Sequence, residues 1–103
     1  MKTIYKYPFE VKDRVVLQMP WDAPILTVQT QWMAESGERP CLWAIVDPHQ
    51  AKISKATRTF YLIGTGHPID DEEMKLLTYR GTFQLHGGTL VFHLFEHRAP
   101  ETR

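Results

Sequence analysis

The sequence has a single cysteine, no excess of charge of either sign, and no long hydrophobic run. Cys41 alone excludes an internal disulfide framework and a cysteine-based zinc finger. Twelve Lys and Arg residues balance twelve Asp and Glu residues, so the chain lacks the overall positive field that drives non-specific binding to nucleic acid. The longest apolar run, Leu90 to Phe95, contains His93 and is far shorter than the roughly 20 residues of a membrane-spanning helix. We therefore expect no membrane insertion and no general affinity for nucleic acid, although local basic patches remain compatible with this balance.

Targeting segments are also missing from the sequence. Residues Met1 to Tyr7 alternate polar and aromatic side chains and lack the apolar stretch of a signal peptide, so we expect a cytoplasmic protein. The chain has 103 residues, of which 43% are hydrophobic, enough for one core without disulfide bonds. We predict a single β-rich domain over residues 1–97 and a flexible C-terminal tail over residues 98–103.

A period of two in the hydrophobic pattern, typical of β-strands, recurs along the chain. The predicted strands are Thr3–Tyr7, Arg14–Met19, Ile25–Met33, Cys41–Val46, Arg58–Thr65, Tyr79–His86 and Thr89–Glu96. The segment Asp70–Leu77, with acidic residues in its first turn, is the only predicted helix. Residues 49–57 are interpreted as a loop or a single helical turn. The pattern predicts an all-β fold: a compact antiparallel β-sandwich or small barrel of six or seven short strands with at most one short helix.

The last two predicted strands form a hairpin around Gly87-Gly88, a dipeptide suited to a two-residue turn. Such a turn places Phe83 opposite Phe92 and Leu85 opposite Leu90. The face predicted to join the core carries Phe83, Leu85, Leu90, Phe92 and Leu94. The opposite face carries Arg80, Thr82, Gln84, His86, Thr89, Val91, His93 and Phe95. These side chains suit an interface better than open water, because they include Val and Phe and lack Lys and Glu.

The segment Gly64-Thr65-Gly66-His67-Pro68 is the most suggestive motif for ligand binding. Two glycines allow a close backbone approach, and successive N–H groups there can form an anion-binding nest to which His67 adds a donor. A tight turn at the end of a strand is the simpler interpretation and the one we favour. The sequence contains neither a GxGxxG fingerprint nor a P-loop, so standard nucleotide-binding modules are not indicated.

Histidine is abundant, with five residues in the chain. His86, His93 and His97 lie in the hairpin region, but no HxH, HExxH or Cys/His cluster with metal-ligand spacing is present. A metal site would require His67 to converge on the hairpin, so we expect half-buried, hydrogen-bonded histidines, no metal and no cofactor. The candidate binding residues are Gly64, Thr65, Gly66, His67, Arg80, Gln84, His86 and His93.

Catalytic residues are not indicated. The GxSxG motif of serine hydrolases is absent, and Cys41 has no histidine beside it in the sequence. The acidic stretch Asp70–Glu73 is explained by a solvated helix start. We therefore expect a protein that is not an enzyme and has no catalytic residues.

A cluster of Lys52, Lys55 and Arg58, together with aromatic residues, is a weaker signal for single-stranded nucleic acid. Three clustered cations in a neutral chain supply little electrostatic attraction. The three tryptophans are Trp21, Trp32 and Trp43. They lie on or beside apolar strands, so we expect them to pack in the core.

Several segments, in the same order along nearly the whole domain, resemble a family of small proteins encoded by bacteriophages and prophages. They are Ile4–Pro8 (IYKYP), Leu42–Pro48 (LWAIVDP), Ile63–Ile69 (IGTGHPI), Gly81–Gln84 (GTFQ) and Leu90–Glu96 (LVFHLFE). The resemblance implies an accessory phage protein in a bacterial cytoplasm but no agreed catalytic residue set.

Three functions follow as hypotheses from that setting and from the missing catalytic motifs. The first is a host-takeover or anti-defence factor that inhibits a host protein by binding its surface. The second is a sequestering protein for a small anionic signalling nucleotide. The third is a minor virion or assembly component, for which a homodimer would be one signature.

Overall fold

The protein folds into two antiparallel β-sheets, as the sequence predicts. The computed structural model describes residues 1–53 and 55–98. The elements are β1 (Thr3–Pro8), β2 (Arg14–Met19), β3 (Ile25–Met33), β4 (Gly37–Val46), α1 (Pro48–Ile53), β5 (Ala56–Gly64), α2 (Asp71–Met74), β6 (Leu77–Leu85) and β7 (Leu90–His97). Sheet A has the order β1-β4-β3, and sheet B has the order β2-β5-β7-β6. The all-β prediction is therefore confirmed. Each sheet has one hydrophobic face, and the two faces are buried by packing against each other.

The core lies between these inner faces. Alternate residues of each strand point inward, which is why the apolar positions recur with a period of two. The largest fully buried side chains include Met19, Val28, Leu42, Val46, Phe60 and Leu94. The edge strands β3 and β6 meet at one side of the core, where the Thr30 hydroxyl donates to the Gln84 carbonyl oxygen. Gly81 also adjoins Val28 there, so closely that a Cβ atom at Gly81 would lie 2.5 Å from Val28 Cγ1.

The strand pairing predicted for the last hairpin is confirmed, whereas its turn differs from the prediction. Phe83 pairs with Phe92 and Leu85 with Leu90. The connection is a 3₁₀ turn over His86–Gly88, in which His86 itself has φ +53°. His86 therefore belongs to the loop and not to the predicted strand. Of the predicted core face, Phe83, Leu85 and Leu94 are buried, while Leu90 at the hairpin end is exposed.

The described part of the chain contains two short α-helices where the sequence predicts at most one. Helix α2 lies within the predicted segment Asp70–Leu77, and α1 lies where the sequence predicts a loop or a single helical turn over residues 49–57. An Asp47 carboxylate oxygen accepts hydrogen bonds from the N–H groups of His49 (2.9 Å) and Gln50 (3.4 Å), which caps α1. These bonds lower the pKa of Asp47. No helix in the described part of the chain has both the length and the apolar character needed to cross a membrane.

The expectation that the tryptophans pack in the core is wrong for two of them. Trp21 is 71% exposed and Trp32 is 75% exposed, while Trp43 is half-buried on β4. The predicted tail begins at Arg98, whose backbone N–H donates to the carbonyl oxygen of Leu76. The rest of the predicted tail, residues 99–103, lies outside the described residues.

Candidate functional site

The segment from Gly64 to His67 forms a tight turn. The N–H of His67 donates to the carbonyl oxygen of Gly64 (3.1 Å), and Gly66 has φ +90°, as the third position of a type II turn requires. The N–H of Thr65 donates to the carbonyl oxygen of Val91 on β7 (3.3 Å). Two of the N–H groups that an anion nest needs are thus already used by the protein itself.

His93 connects this turn to the hairpin. Its Nε2 lies 2.8 Å from the Thr65 hydroxyl and its Nδ1 lies 2.9 Å from the Thr82 hydroxyl. The Thr82 hydroxyl also lies 2.6 Å from the hydroxyl of Tyr79. Of the sequence-predicted residues, Thr65 and His93 are therefore brought together on the outer face of sheet B. Both ring nitrogens of His93 have protein partners, which leaves it a half-buried structural histidine in this arrangement.

Gly64, Gly66 and His67 lie in the turn with Thr65, whereas Arg80, Gln84 and His86 do not join that cluster. His86 lies at the hairpin tip, where its backbone N–H donates to a Glu38 carboxylate oxygen (2.7 Å). Gln84 lies near the end of β6, and its side-chain oxygen is beside the turn glycine Gly88. Arg80 contacts Glu96 instead, through its Nε and Nη2. The predicted set of eight residues thus falls into three places rather than one pocket.

A β-bulge explains the position of Arg80. Tyr79 pairs with Phe95 but Gly81 already pairs with Leu94, so β6 contains one extra residue at this point. An extra residue shifts the alternation of the strand and re-aims the side chain beside it. Arg80 therefore departs from the simple alternation that groups it with Thr82 and Gln84, and its guanidinium group binds Glu96.

Arg58, Arg80 and Glu96 form a partly buried ion cluster. Glu96 accepts two bonds from Arg58, at 2.7 and 2.8 Å, and two from Arg80, at 2.9 and 2.7 Å. The Arg58 side chain is only 7% exposed and that of Glu96 12%. Burial by itself raises the pKa of Glu96, but the hydrogen bonds and positive charges of both arginines outweigh it and lower the pKa. Glu96 is therefore held as a carboxylate, and one of the two guanidinium charges is left uncompensated.

This cluster borders a cleft of about 480 Å³ at one end of sheet B. The lining residues are Arg14, Trp21, Thr57, Arg58, Thr59, Tyr61, Arg80, Glu96, His97 and Arg98. Arg14 pairs with Tyr61 across β2 and β5, which puts their side chains on the same face of the sheet. The His97 ring packs edge-on against Tyr61, with 5.8 Å between ring centroids. Strand pairing thus gathers residues that are far apart in the sequence.

The cleft is strongly positive although the chain is neutral. Of its lining residues in the described part of the chain, four are arginines and Glu96 is the only acid, which leaves a net charge of +3. Arg14 and Arg98 are exposed lining residues of the cleft. Nη2 of Arg98 donates to the carbonyl oxygen of Lys75 (2.8 Å), so only the other N–H groups of this guanidinium are available to a ligand. Guanidinium groups present planar forks of N–H donors, a geometry that recognises phosphate and carboxylate oxygens. The Nε, Nη1 and Nη2 of Arg58 and the Nε and Nη2 of Arg80 are already bonded within the protein.

The sequence pattern indicates Arg80, and it gives Arg58 and Trp21 only as part of a weak signal for nucleic acid. Arg14 and Arg98 were not predicted. Arg14 and Arg98 lie at opposite ends of the chain, and only the order β2-β5-β7-β6 brings them together. A usable signal existed in the turn Pro20–Pro24, because a tryptophan between two prolines is held out of the adjoining strands.

Metal ligands are not gathered in the same way. Among residues 1–53 and 55–98, no group of three or more His, Cys, Asp and Glu side chains is close enough to hold a metal ion.

Comparisons with known proteins leave the cleft as the main guide to function. No curated protein and no solved structure matches the chain. One family model does match, and it covers residues 1–103. The chain therefore belongs to the family described as Domain of unknown function DUF7352.

Proposed function

We propose that the protein binds a phosphate-bearing ligand in the arginine-lined cleft and acts by sequestering it. The observation that carries this proposal is the convergence of four arginines on one cleft of about 480 Å³ in a chain with no net charge. Small-molecule sites have volumes of about 300–1,000 Å³, so the cleft is large enough for a nucleotide-sized ligand. The resemblance to phage-encoded proteins suggests that the ligand is a bacterial metabolite or signal.

The four arginines have different tasks in this proposal. Arg58 is buried and its hydrogen bonds go to Glu96 and to two backbone carbonyl oxygens, so it builds the cleft wall. Arg14 and Arg98 are exposed and supply the donors that meet the ligand, and Arg80 adds charge behind them. A phosphate group binds well to such planar, charged donors, because one guanidinium group can donate two parallel hydrogen bonds to its oxygens.

Binding without turnover fits the groups in the cleft. Both carboxylate oxygens of Glu96 accept hydrogen bonds from arginines, and its pKa is lowered, so it is a poor general base.

We expect Arg14→Gln and Arg98→Gln each to weaken binding of tripolyphosphate about tenfold. A hydrogen bond to a charged group contributes about 1.5 kcal/mol, which corresponds to that factor. Titration calorimetry at low salt measures the dissociation constant. Both residues are exposed, so the variants should keep the fold.

Lys12→Gln is the matched control for these variants. It removes the same charge from an exposed side chain outside the cleft lining, where Lys12 forms a long ion pair with Glu10 (3.8 Å). If all three variants lose the same affinity for tripolyphosphate, the effect comes from the overall charge of the protein and not from the cleft, and the proposal fails. The absence of tripolyphosphate binding to the wild-type protein would also reject it.

A second proposal, predicted from the sequence, is that the outer face of sheet B binds and inhibits a host protein. Tyr79 on this face is 57% exposed and packs against Phe95 with 5.6 Å between ring centroids. Exposed aromatic pairs of this kind are common at the centre of protein interfaces.

For this second proposal we expect the tagged protein to capture one partner from bacterial lysate and Tyr79→Ser to lower that capture at least fivefold. Trp32→Ser, which truncates an exposed aromatic residue on sheet A, should leave it unchanged. Equal capture by both variants would contradict the proposal. Light scattering over a range of concentrations tests the third function, self-association or assembly into a virion.

A further inference from the structure

Trp21 is an exposed tryptophan on an anchored turn. It is 71% exposed, although its neighbours Pro20 and Ala23 are buried. The turn is closed by a hydrogen bond from the Ala23 N–H to the Pro20 carbonyl oxygen (3.2 Å). What distinguishes Trp21 from the equally exposed Trp32 is its place in the lining of the cleft, where its large aromatic face is open to a ligand.

Arg58 holds this turn against the rest of the cleft. Its Nη1 donates to the carbonyl oxygens of Pro20 (3.1 Å) and Ala23 (2.8 Å), while Nε and Nη2 bind Glu96. One buried side chain thus connects the segment that carries Trp21 to the strand that carries Glu96. The backbone below the indole is fixed before any ligand arrives, which reduces the entropy lost on binding.

We propose that the ligand of the cleft is a nucleotide, whose base stacks on Trp21 while its phosphates meet Arg14 and Arg98. This inference rests on the proposed function and names the ligand class of the same site. An aromatic base has a flat apolar face of the size that covers an indole, whereas inorganic polyphosphate or an acidic peptide leaves Trp21 exposed.

Other lining residues fit the same ligand. Thr57 and Thr59 share one face of β5 with Tyr61 and offer hydroxyl groups beside the arginines. The Tyr61 and His97 rings, packed edge-on, add a second aromatic surface on the side of the cleft formed by β5 and β7. The chemistry recognised is an aromatic base joined to a phosphate, which occurs both in free nucleotides and in single-stranded nucleic acid.

The test compares Trp21→Ser with Trp32→Ser in the full chain. Both tryptophans are highly exposed, so neither substitution should disturb the core, but only Trp21 lines the cleft. We expect ATP to bind the wild-type protein about tenfold more tightly than tripolyphosphate, a factor that matches the stacking of one base. Trp21→Ser should remove this difference and leave tripolyphosphate binding unchanged, while Trp32→Ser should change neither.

The outcomes separate this inference from the proposal on which it rests. If ATP and tripolyphosphate bind equally and Trp21→Ser has no effect, the nucleotide inference is overturned while phosphate binding stands. If neither ligand binds, both are overturned. Tighter binding of polyglutamate than of ATP would also overturn it in favour of an acidic partner.

A short single-stranded oligonucleotide identifies the source of the nucleotide. We expect one of two supporting results: ATP binds as tightly as the oligonucleotide, which indicates a free nucleotide, or the oligonucleotide binds more tightly and its affinity falls steeply with salt. In either case Trp21→Ser should weaken binding about tenfold.

Discussion

Replacing Glu96 with glutamine is expected to lower the free energy of unfolding by about 3–5 kcal/mol, since it leaves two arginines without their shared counter-charge. The Arg58 guanidinium is 7% exposed and cannot turn to water for compensation. Its other partners, the carbonyl oxygens of Pro20 and Ala23, carry no net charge. Urea unfolding at neutral pH measures the loss.

Arg80→Gln is the matched control for Glu96→Gln. It removes the more exposed arginine and leaves Arg58 and Glu96 as a balanced pair, so its cost should be well below that of Glu96→Gln. An equal or larger cost for Arg80→Gln would contradict the charge argument, because it would mean that the shape of the cluster matters more than its balance.

The same cluster predicts how stability depends on pH. The pKa of Glu96 in the folded protein lies below the ordinary value of 4.5. The stability that it contributes is therefore complete above about pH 4.5 and is lost as the pH falls through its lower folded pKa. We expect the wild-type protein to lose more stability than Glu96→Gln between neutral pH and about pH 3. Parallel curves for both proteins would reject this assignment.

Alternation of apolar and polar residues was sufficient to predict the strands and the hairpin register. The pairing of Phe83 with Phe92 follows because both strands have one apolar face and a glycine-containing turn between them. The turn itself was harder to predict, since the two glycines tolerate several conformations and His86 adopts a positive φ beside them. Local chemistry specifies the strands more strongly than it specifies their connections.

The cleft could not be predicted in the same way. A net charge of zero describes the sum over the chain and carries no information about where the charges lie. Arg14 and Arg98 come together only through the order of strands in sheet B, and Arg80 only through a bulge. Each of these depends on contacts between distant segments, which a pattern of neighbouring residues does not contain.

The bulge that aims Arg80 leads to a second large expected effect, at Gly81. A Cβ atom at this position would lie 2.5 Å from Val28 Cγ1 and 3.4 Å from the Val28 backbone nitrogen. Val28 is 1% exposed and β-branched, so its side chain has no room to move aside. We expect Gly81→Ala to lower the free energy of unfolding by about 2–3 kcal/mol through overpacking.

A double-mutant cycle with Val28→Ala tests whether the contact is the cause. Val28→Ala alone should cost about 2 kcal/mol by opening a cavity, but it also removes the Cγ1 atom that the new methyl group meets. The double variant should therefore lose about 1–2 kcal/mol less unfolding free energy than the two single variants lose together. Simple additivity would show that Gly81 is needed for the backbone of the bulge and not for space. In that case Gly81→Ala should also displace Arg80, and tripolyphosphate binding should stay weak in the double variant. A purely steric effect predicts instead that the double variant recovers both binding and stability.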